Sequence, residues 1–166
     1  MELSFAKLHG LGNDFVFIDD RDRALKLTDA QVSYLCDRHF GIGADGVILV
    51  RPATSEEGDG YMHYINADGT LAQMCGNGVR CFAKYLVDRE LADVASGHLL
   101  ADTLAGPRPI AFSVDAGGKM TEATVNMGAP ILDPALVPVD AAPDSRMADG
   151  TPYVGHLRLL RGLERP

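Results

Sequence analysis

The sequence predicts an α+β fold, a mixed or mostly antiparallel sheet wrapped around a central helix. Short β-branched and aromatic runs outnumber the segments with helical spacing. Their order, β-β-α-β-β-α-β-β-β, gives many strands for two helices. The 166 residues, 46% hydrophobic and 23% charged, have an ordinary globular composition and are enough to bury a core.

"LSFAKLHG" (Leu3–Gly10) and "DFVFIDD" (Asp14–Asp20) read as two strands, with "HGLGND" making a tight connection between them. In "LTDAQVSYLCDRHFG", Thr28 can cap a helix and Ala30, Val32, Leu35 and Cys36 fall near helical spacing. Gly41 supplies the stop, so a helix is expected over about Asp29–His39. "DGVILVRP" (Asp45–Pro52) is a strand, and "GYMHYINADGT" is another, ended by an Asp-Gly turn. A second helix is expected over roughly Asn77–Glu90, with Val79, Phe82, Ala83, Leu86 and Val87 on one apolar face. From Arg108 onward two strands meet at Ala116-Gly117-Gly118, a hairpin signal. After Pro130, five of the nine prolines fall in a stretch that reads as an extended edge segment or linker.

Fifteen basic against 23 acidic residues give a formal charge of −8, which argues against a nucleic-acid partner. Any anionic ligand must be held locally, by backbone N–H groups or helix ends. No apolar run approaches the ~18 residues needed to cross a membrane. The N-terminal segment lacks the apolar core of a signal peptide. Three cysteines (Cys36, Cys75, Cys81) make an odd number without framework spacing, so reduced thiols in a cytoplasm are expected.

The chemistry concentrates in "NADGTLAQMCGNGVRCFAKYL", where Cys75 stands at the mouth of the second helix, followed by Gly76, Asn77 and Gly78. The first N–H groups of a helix lack intrahelical partners and carry partial positive charge. A thiol there is expected to ionise below its usual ~8.5, and the same N–H groups can hold a carboxylate. That pairing suits proton transfer at the α-carbon of an amino acid. A free cysteine is more commonly a small packed hydrophobe, but flanking glycines would gain such a residue nothing. Cys81 and Cys36 are expected in the core of their helices. Cys75 and Cys81 have no second Cys/His pair to complete a metal site. "GIGADG" (Gly41–Gly46) follows a helix and precedes a strand, the reverse of a dinucleotide fingerprint, and reads as a turn.

"KLHGLGNDFVFID", "GIGADGVILV", "YINADG" and "MCGNGVRC", in this order and spacing, resemble the diaminopimelate epimerase family over about Phe5–Gly128. The resemblance implies an N-terminal lobe (1–128) of a two-lobed fold, working on a small amino-acid substrate with no metal or pyridoxal phosphate. It implies a two-base mechanism in which one cysteine removes the α-proton while a second protonates the opposite face. Cys75 matches the first of the pair. Gly76 and Asn77 match positions that bind the α-carboxylate, and Asn13 and Asn66 match amides that contact substrate. Asparagine amides can accept from an ammonium and donate to a carboxylate without adding charge, although both asparagines also sit in turn sequences. Some relatives carry a substrate-contacting glutamine where this chain has Gly46.

Beyond the lobe follow the Pro-rich segment (129–154) and an atypical tail (155–166). Where the family usually continues from "YVG" into a strand, this chain has "GHLRLLRGLERP". A one-base insertion would make that change, so Gly155–Pro166 is expected to be out-of-frame sequence ending at a premature stop; deliberate or proteolytic truncation would explain the length equally well, but not the altered tail. Resequencing that finds no second lobe in a shifted frame rejects the idea. The family's second cysteine lies beyond Pro166, so the isolated chain is expected to epimerise poorly or not at all. The exposed inner face of a lone lobe is expected to be sticky, favouring a homodimer or a separate second lobe.

Two other readings stand beside this one. A cysteine-nucleophile hydrolase or transferase would need a base near Cys75, and His63 is the nearest candidate by sequence. A non-catalytic lobe that binds an amino acid or a partner would show binding without proton exchange.

Overall fold

A computed structural model describes residues 3–133, 136–137 and 142–155. It divides into two compact units, Met1–Met127 and Gly128–Pro166.

In the first unit, β1 (Ala6–Gly10) and β2 (Asn13–Asp19) form an antiparallel hairpin. Leu11 and Gly12 make its two-residue turn, both left-handed (φ 56° and 89°). That conformation matches the twist of the flanking strands. The helix α1 (Asp29–Cys36) starts at Thr28, whose side chain accepts from the Gln31 N–H while the Gln31 side chain accepts from the Thr28 N–H. It stops short of the His39 expected from sequence. The Asp37 carboxylate accepts from the N–H groups of His39 (2.7 Å) and Phe40 (2.8 Å), offering the backbone a turn instead of another helical step.

The strands β3 (Gly46–Arg51) and β4 (Gly60–Asn66) follow, then α2 (Gly76–Asp88). A strand to which the sequence reading attached no residues, β5 (His98–Asp102), comes next. The hairpin β6 (Arg108–Val114) and β7 (Met120–Val125) completes the unit. All seven strands form one sheet in chain order, parallel at β2–β3 and β4–β5 and antiparallel elsewhere. Each parallel pair needs a crossover, and α1 and α2 supply them. The fold is therefore α+β with a mixed sheet.

The helix α2 packs against both edge strands, β1 and β7. One helix can touch both ends of a seven-stranded sheet only if the sheet curls around it. Its predicted face, Val79, Phe82, Ala83, Leu86 and Val87, is buried, and so are Cys81 and Tyr85. This core includes Phe15, Phe17, Ile48, Val50 and Tyr64. A second cluster on the opposite face joins Val16, Ile18, Val47 and Leu49 to Val32 and Cys36 of α1. Helices thus cover both faces of β2 and β3, which explains their almost unbroken burial.

The second unit carries a small antiparallel ladder, β8 (Ser145–Arg146) with β9 (Pro152–Tyr153), closed by Met147 N–H to Thr151 O at 2.9 Å. The tail read as out of frame falls, Gly155 apart, on residues 156–166 and so outside the described residues. Among the described residues no helix is long and apolar enough to cross a membrane.

Candidate active site

The site lies at one end of the sheet, where β2 and β3 begin and β4 ends. The register pairs Phe15 with Gly46 and Gly46 with Asn66, so Asn13, Asp45 and Asn66 gather there. After Asn66 the chain reverses in an Asp-Gly turn, with Gly69 N–H to Asn66 O at 2.9 Å and Ile65 bridged to Leu71. It then enters α2 next to the tip of the first hairpin. Gly10 permits this approach, since a Cβ there would lie 3.2 Å from both Cβ and the carbonyl oxygen of Asn77.

Cys75 is the N-cap of α2, in extended conformation (φ −148°, ψ 112°) and half-buried. Its Sγ accepts from the Gly78 N–H at 3.4 Å, doing what a serine hydroxyl does at most N-caps. Helix geometry leaves the N–H groups of Gly76 and Asn77 without intrahelical partners. A Cβ at Gly76 would meet only Met127, in ordinary contact at 3.6 Å.

One amide contacts the sulfur and a second contacts that amide. The Cys75 thiol donates to Asn13 Oδ1 at 3.6 Å, and Asn77 Nδ2 donates to the same oxygen at 3.3 Å. Asn13 Nδ2 donates to Asp45 Oδ2 at 2.6 Å, and Arg80 donates to Asn77 Oδ1. Arg38 bridges Asp45 (2.9 Å) and Asp14 (2.7 Å). The Asn13 hydrogen bond, with the Asp14 N–H and Arg38, holds the Asp45 carboxyl below the usual carboxylate range despite partial burial.

The structure therefore joins Cys75, Asn13 and Asn77 in one network, with Gly76 beside them. Asn66 stands at the adjoining strand end, but its side chain donates to Thr70 Oγ1 at 3.0 Å within its own turn. Sequence reasoning missed Asp45, Arg38 and Arg80. Arg80 carried a faint signal, three residues after Asn77 on the same helix. The other two acquire partners only through tertiary contact.

Gly46 leaves no room for a side chain. A Cβ there would lie 2.5 Å from the Tyr64 ring and 2.6 Å from the Ile65 carbonyl oxygen. Tyr64 leans over the glycine and stacks edge-on against Phe15, with centroids 5.6 Å apart. Burial, and then the neighbouring charges of Cys75 and Asp45, push its hydroxyl up to about 12. The other two thiols are buried, as expected. Burial raises Cys36 and pushes Cys81 up to about 11.

His63 does not serve Cys75. Alternation along β4 puts Tyr64, packed in the α2 core, and His63 on opposite faces of the sheet. Burial lowers the His63 pKa, and the charges acting on it are those of Arg51 and Asp20. "GIGADG" is a turn, with the N–H groups of Ile42 and Gly43 both donating to Leu35 O at 3.0 Å.

A helix held in a curled sheet is also the fold of solved isomerases. A hydroxyproline epimerase from Agrobacterium vitis matches with a TM-score of 0.59 at 15% identity, over 74% of this chain and 40% of its own. A methylitaconate-delta-isomerase matches with the same score at 13% identity, over 72% of this chain and 36% of its own. The fold is thus one shared with these isomerases. The model of the family named diaminopimelate epimerase matches residues 5–132. The diaminopimelate epimerase of Thermosynechococcus vestitus is 46% identical over 165 residues, and that of Burkholderia vietnamiensis 43% over 151. The chain belongs to the diaminopimelate epimerase family. It spans about half the length of these relatives, 55% and 50% respectively.

Proposed function

We propose that this chain supplies one half of an amino-acid epimerase acting on diaminopimelate, with Cys75 exchanging the α-proton on one face. The observation that supports this best is Cys75 Sγ capping α2 at 3.4 Å from the Gly78 N–H, next to the free N–H groups of Gly76 and Asn77.

The substrate α-carboxylate docks on those N–H groups at the positive end of the helix. Cys75, as thiolate, takes the α-proton. Negative charge then spreads from Cα into the carboxylate, where the N–H groups already point, so stabilisation grows as the charge develops. Asn13, Asn66 and Asn77 offer amides to the ammonium and the carboxylate without adding net charge. Asn66 must exchange its Thr70 bond for one to substrate. Inversion needs a second acid on the opposite face of the carbon. A second lobe supplies it, carrying the partner cysteine and covering the site. The exposed side chains Leu11, Leu71 and Met127, near the hairpin tip, the end of β4 and Gly76, support such a cover. Three free cysteines suit a reducing cytoplasm.

The test is deuterium entry from D2O at Cα of LL-diaminopimelate, with and without the separately expressed second half of a relative. Exchange that requires Cys75, and inversion only when the second half is present, is the expected result. Exchange that survives Cys75→Ala overturns the assignment. Covalent acyl transfer to Cys75 would instead make it a nucleophile.

A further inference from the structure

Between Arg80 and Asp45 runs a chain of hydrogen bonds that passes the sulfur. Arg80 donates to Asn77 Oδ1, Asn77 Nδ2 donates to Asn13 Oδ1 (3.3 Å), and Asn13 Nδ2 donates to Asp45 Oδ2 (2.6 Å). An isolated asparagine amide can turn over and exchange its donor for its acceptor. These two cannot, because a guanidinium only donates and an ionised carboxylate only accepts. The charged ends therefore set the direction of every bond between them. Asp45 is itself held, by the Asp14 N–H at 3.0 Å and Arg38 at 2.9 Å.

We propose that Asp45 and Arg80 are positioning residues, which polarise the two amides so that the oxygen of Asn13, and not its nitrogen, faces the Cys75 sulfur. The inference rests on Cys75 being the proton-transfer group.

The orientation matters to an enzyme that must both take and return a proton. The Gly78 N–H favours a thiolate. An acceptor oxygen 3.6 Å away on the other side favours the thiol, which can donate to it. The sulfur thus has a donor on one side and an acceptor on the other. If Asn13 turned over, two N–H donors would face the sulfur and the thiolate would be favoured. Such a sulfur could still take a proton but would return it reluctantly.

The test uses the 166-residue chain and iodoacetamide, with alkylation of Cys75 followed by mass spectrometry across pH. Asp45→Asn removes the charge that holds the Asn13 amide and is expected to move the rate profile to lower pH. The rate at pH 7 should rise roughly three- to tenfold, the worth of one ordinary hydrogen bond. Arg80→Met should shift it the same way by less, because Asp45 still holds Asn13. An unchanged Arg80→Met profile removes Arg80 from the proposal. In an Asn13→Ala background Asp45→Asn should then change the rate less than about twofold, since coupled sites lose their mutual effect. A full shift in that background would mean that the carboxylate acts through its field, and overturns the proposal, as does no shift in the Asn13 chain. Should Asp45→Asn fail to fold, 15N NMR of the unaltered chain decides. Slowed exchange of the Asn13 side-chain amide protons supports the lock, and exchange at the rate of free asparagine refutes it. Both readouts work without substrate, so their failure is distinct from a failure of deuterium exchange at Cα.

Discussion

Asn13 and Cys75, 62 positions apart in the chain, meet with the asparagine Oδ1 3.6 Å from the cysteine sulfur. The hairpin that presents Asn13 and the helix that presents Cys75 are pressed together at Gly10. The sulfur accordingly sits in a fixed hydrogen-bonding environment rather than on a loose loop.

Cys75 should be the one thiol open to reagents. Cys36 and Cys81 are 5% and 4% exposed, and burial raises both thiols. Iodoacetamide at pH 8 should label Cys75 at least roughly tenfold faster than either. Equal labelling of Cys81 in the folded chain would contradict the helix packing.

Gly46→Ala should destabilise the chain by about 1–3 kcal/mol, the usual cost of overpacking. Adding Tyr64→Leu should recover part of that loss, because the ring is the nearer obstacle at 2.5 Å and the Ile65 carbonyl remains. Urea unfolding of the single and double variants is the measurement. A Gly46→Ala chain as stable as the parent would mean that Tyr64 does not fill that space.

Acid should weaken the fold through Asp14 and Asp102. The Arg38 hydrogen bond, helped by Lys7, holds the Asp14 carboxyl well below the usual range. For Asp102, burial opposes ionisation, but the N–H and hydroxyl groups of Ser55 and Thr54 outweigh it. Both carboxyls titrate lower folded than unfolded. Their stabilisation is therefore complete from about a unit above the unfolded value of roughly 3.9, and is lost as pH falls from about 5 toward the lower folded values. Asp102→Asn should lower stability at pH 7 by about 1–3 kcal/mol and flatten the decline toward pH 3. Parallel melting curves for the two chains across that range would reject the assignment.

Leu11→Asn should stabilise the chain by about 0.5–1 kcal/mol. Leu11 is left-handed at φ 56° and 92% exposed, so it carries the steric cost of that conformation with no burial in return. Asparagine adopts it more readily. Thermal unfolding reads the difference, and a lower midpoint would mean that the leucine makes a contact worth more than the strain.

Much of the fold was legible because its signals are local. The apolar face of α2 follows helical spacing, Thr28 marks the start of α1, and the turns carry their glycines. The end of α1 was misplaced because Asp37 decides it with its side chain, which a hydrophobic pattern does not weigh. The strand β5 is short and meets β4 through only two register pairs, Gly60 with Ala101 and Tyr61 with Asp102. Such non-local pairing leaves little trace in five residues. At the site, Cys75, Gly76 and Asn77 announce themselves by position at the start of a helix. Asp45 and Arg38 acquire their partners only when β2, β3 and the segment after α1 converge. Tyr64 matters because Gly46 across the sheet makes space for it, a relation between two strands.

The contact of α2 with both edge strands has a consequence for when the sulfur matures. The lining of Cys75 draws on Asn13, near the beginning of the chain, while the helix beneath it rests on β7, more than a hundred residues later. Closing so wide a circuit is slow compared with forming local turns. During synthesis Cys75 is thus expected to gain its full lining only after β7 has emerged and the sheet has shut. Its labelling rate should therefore report the last step of folding.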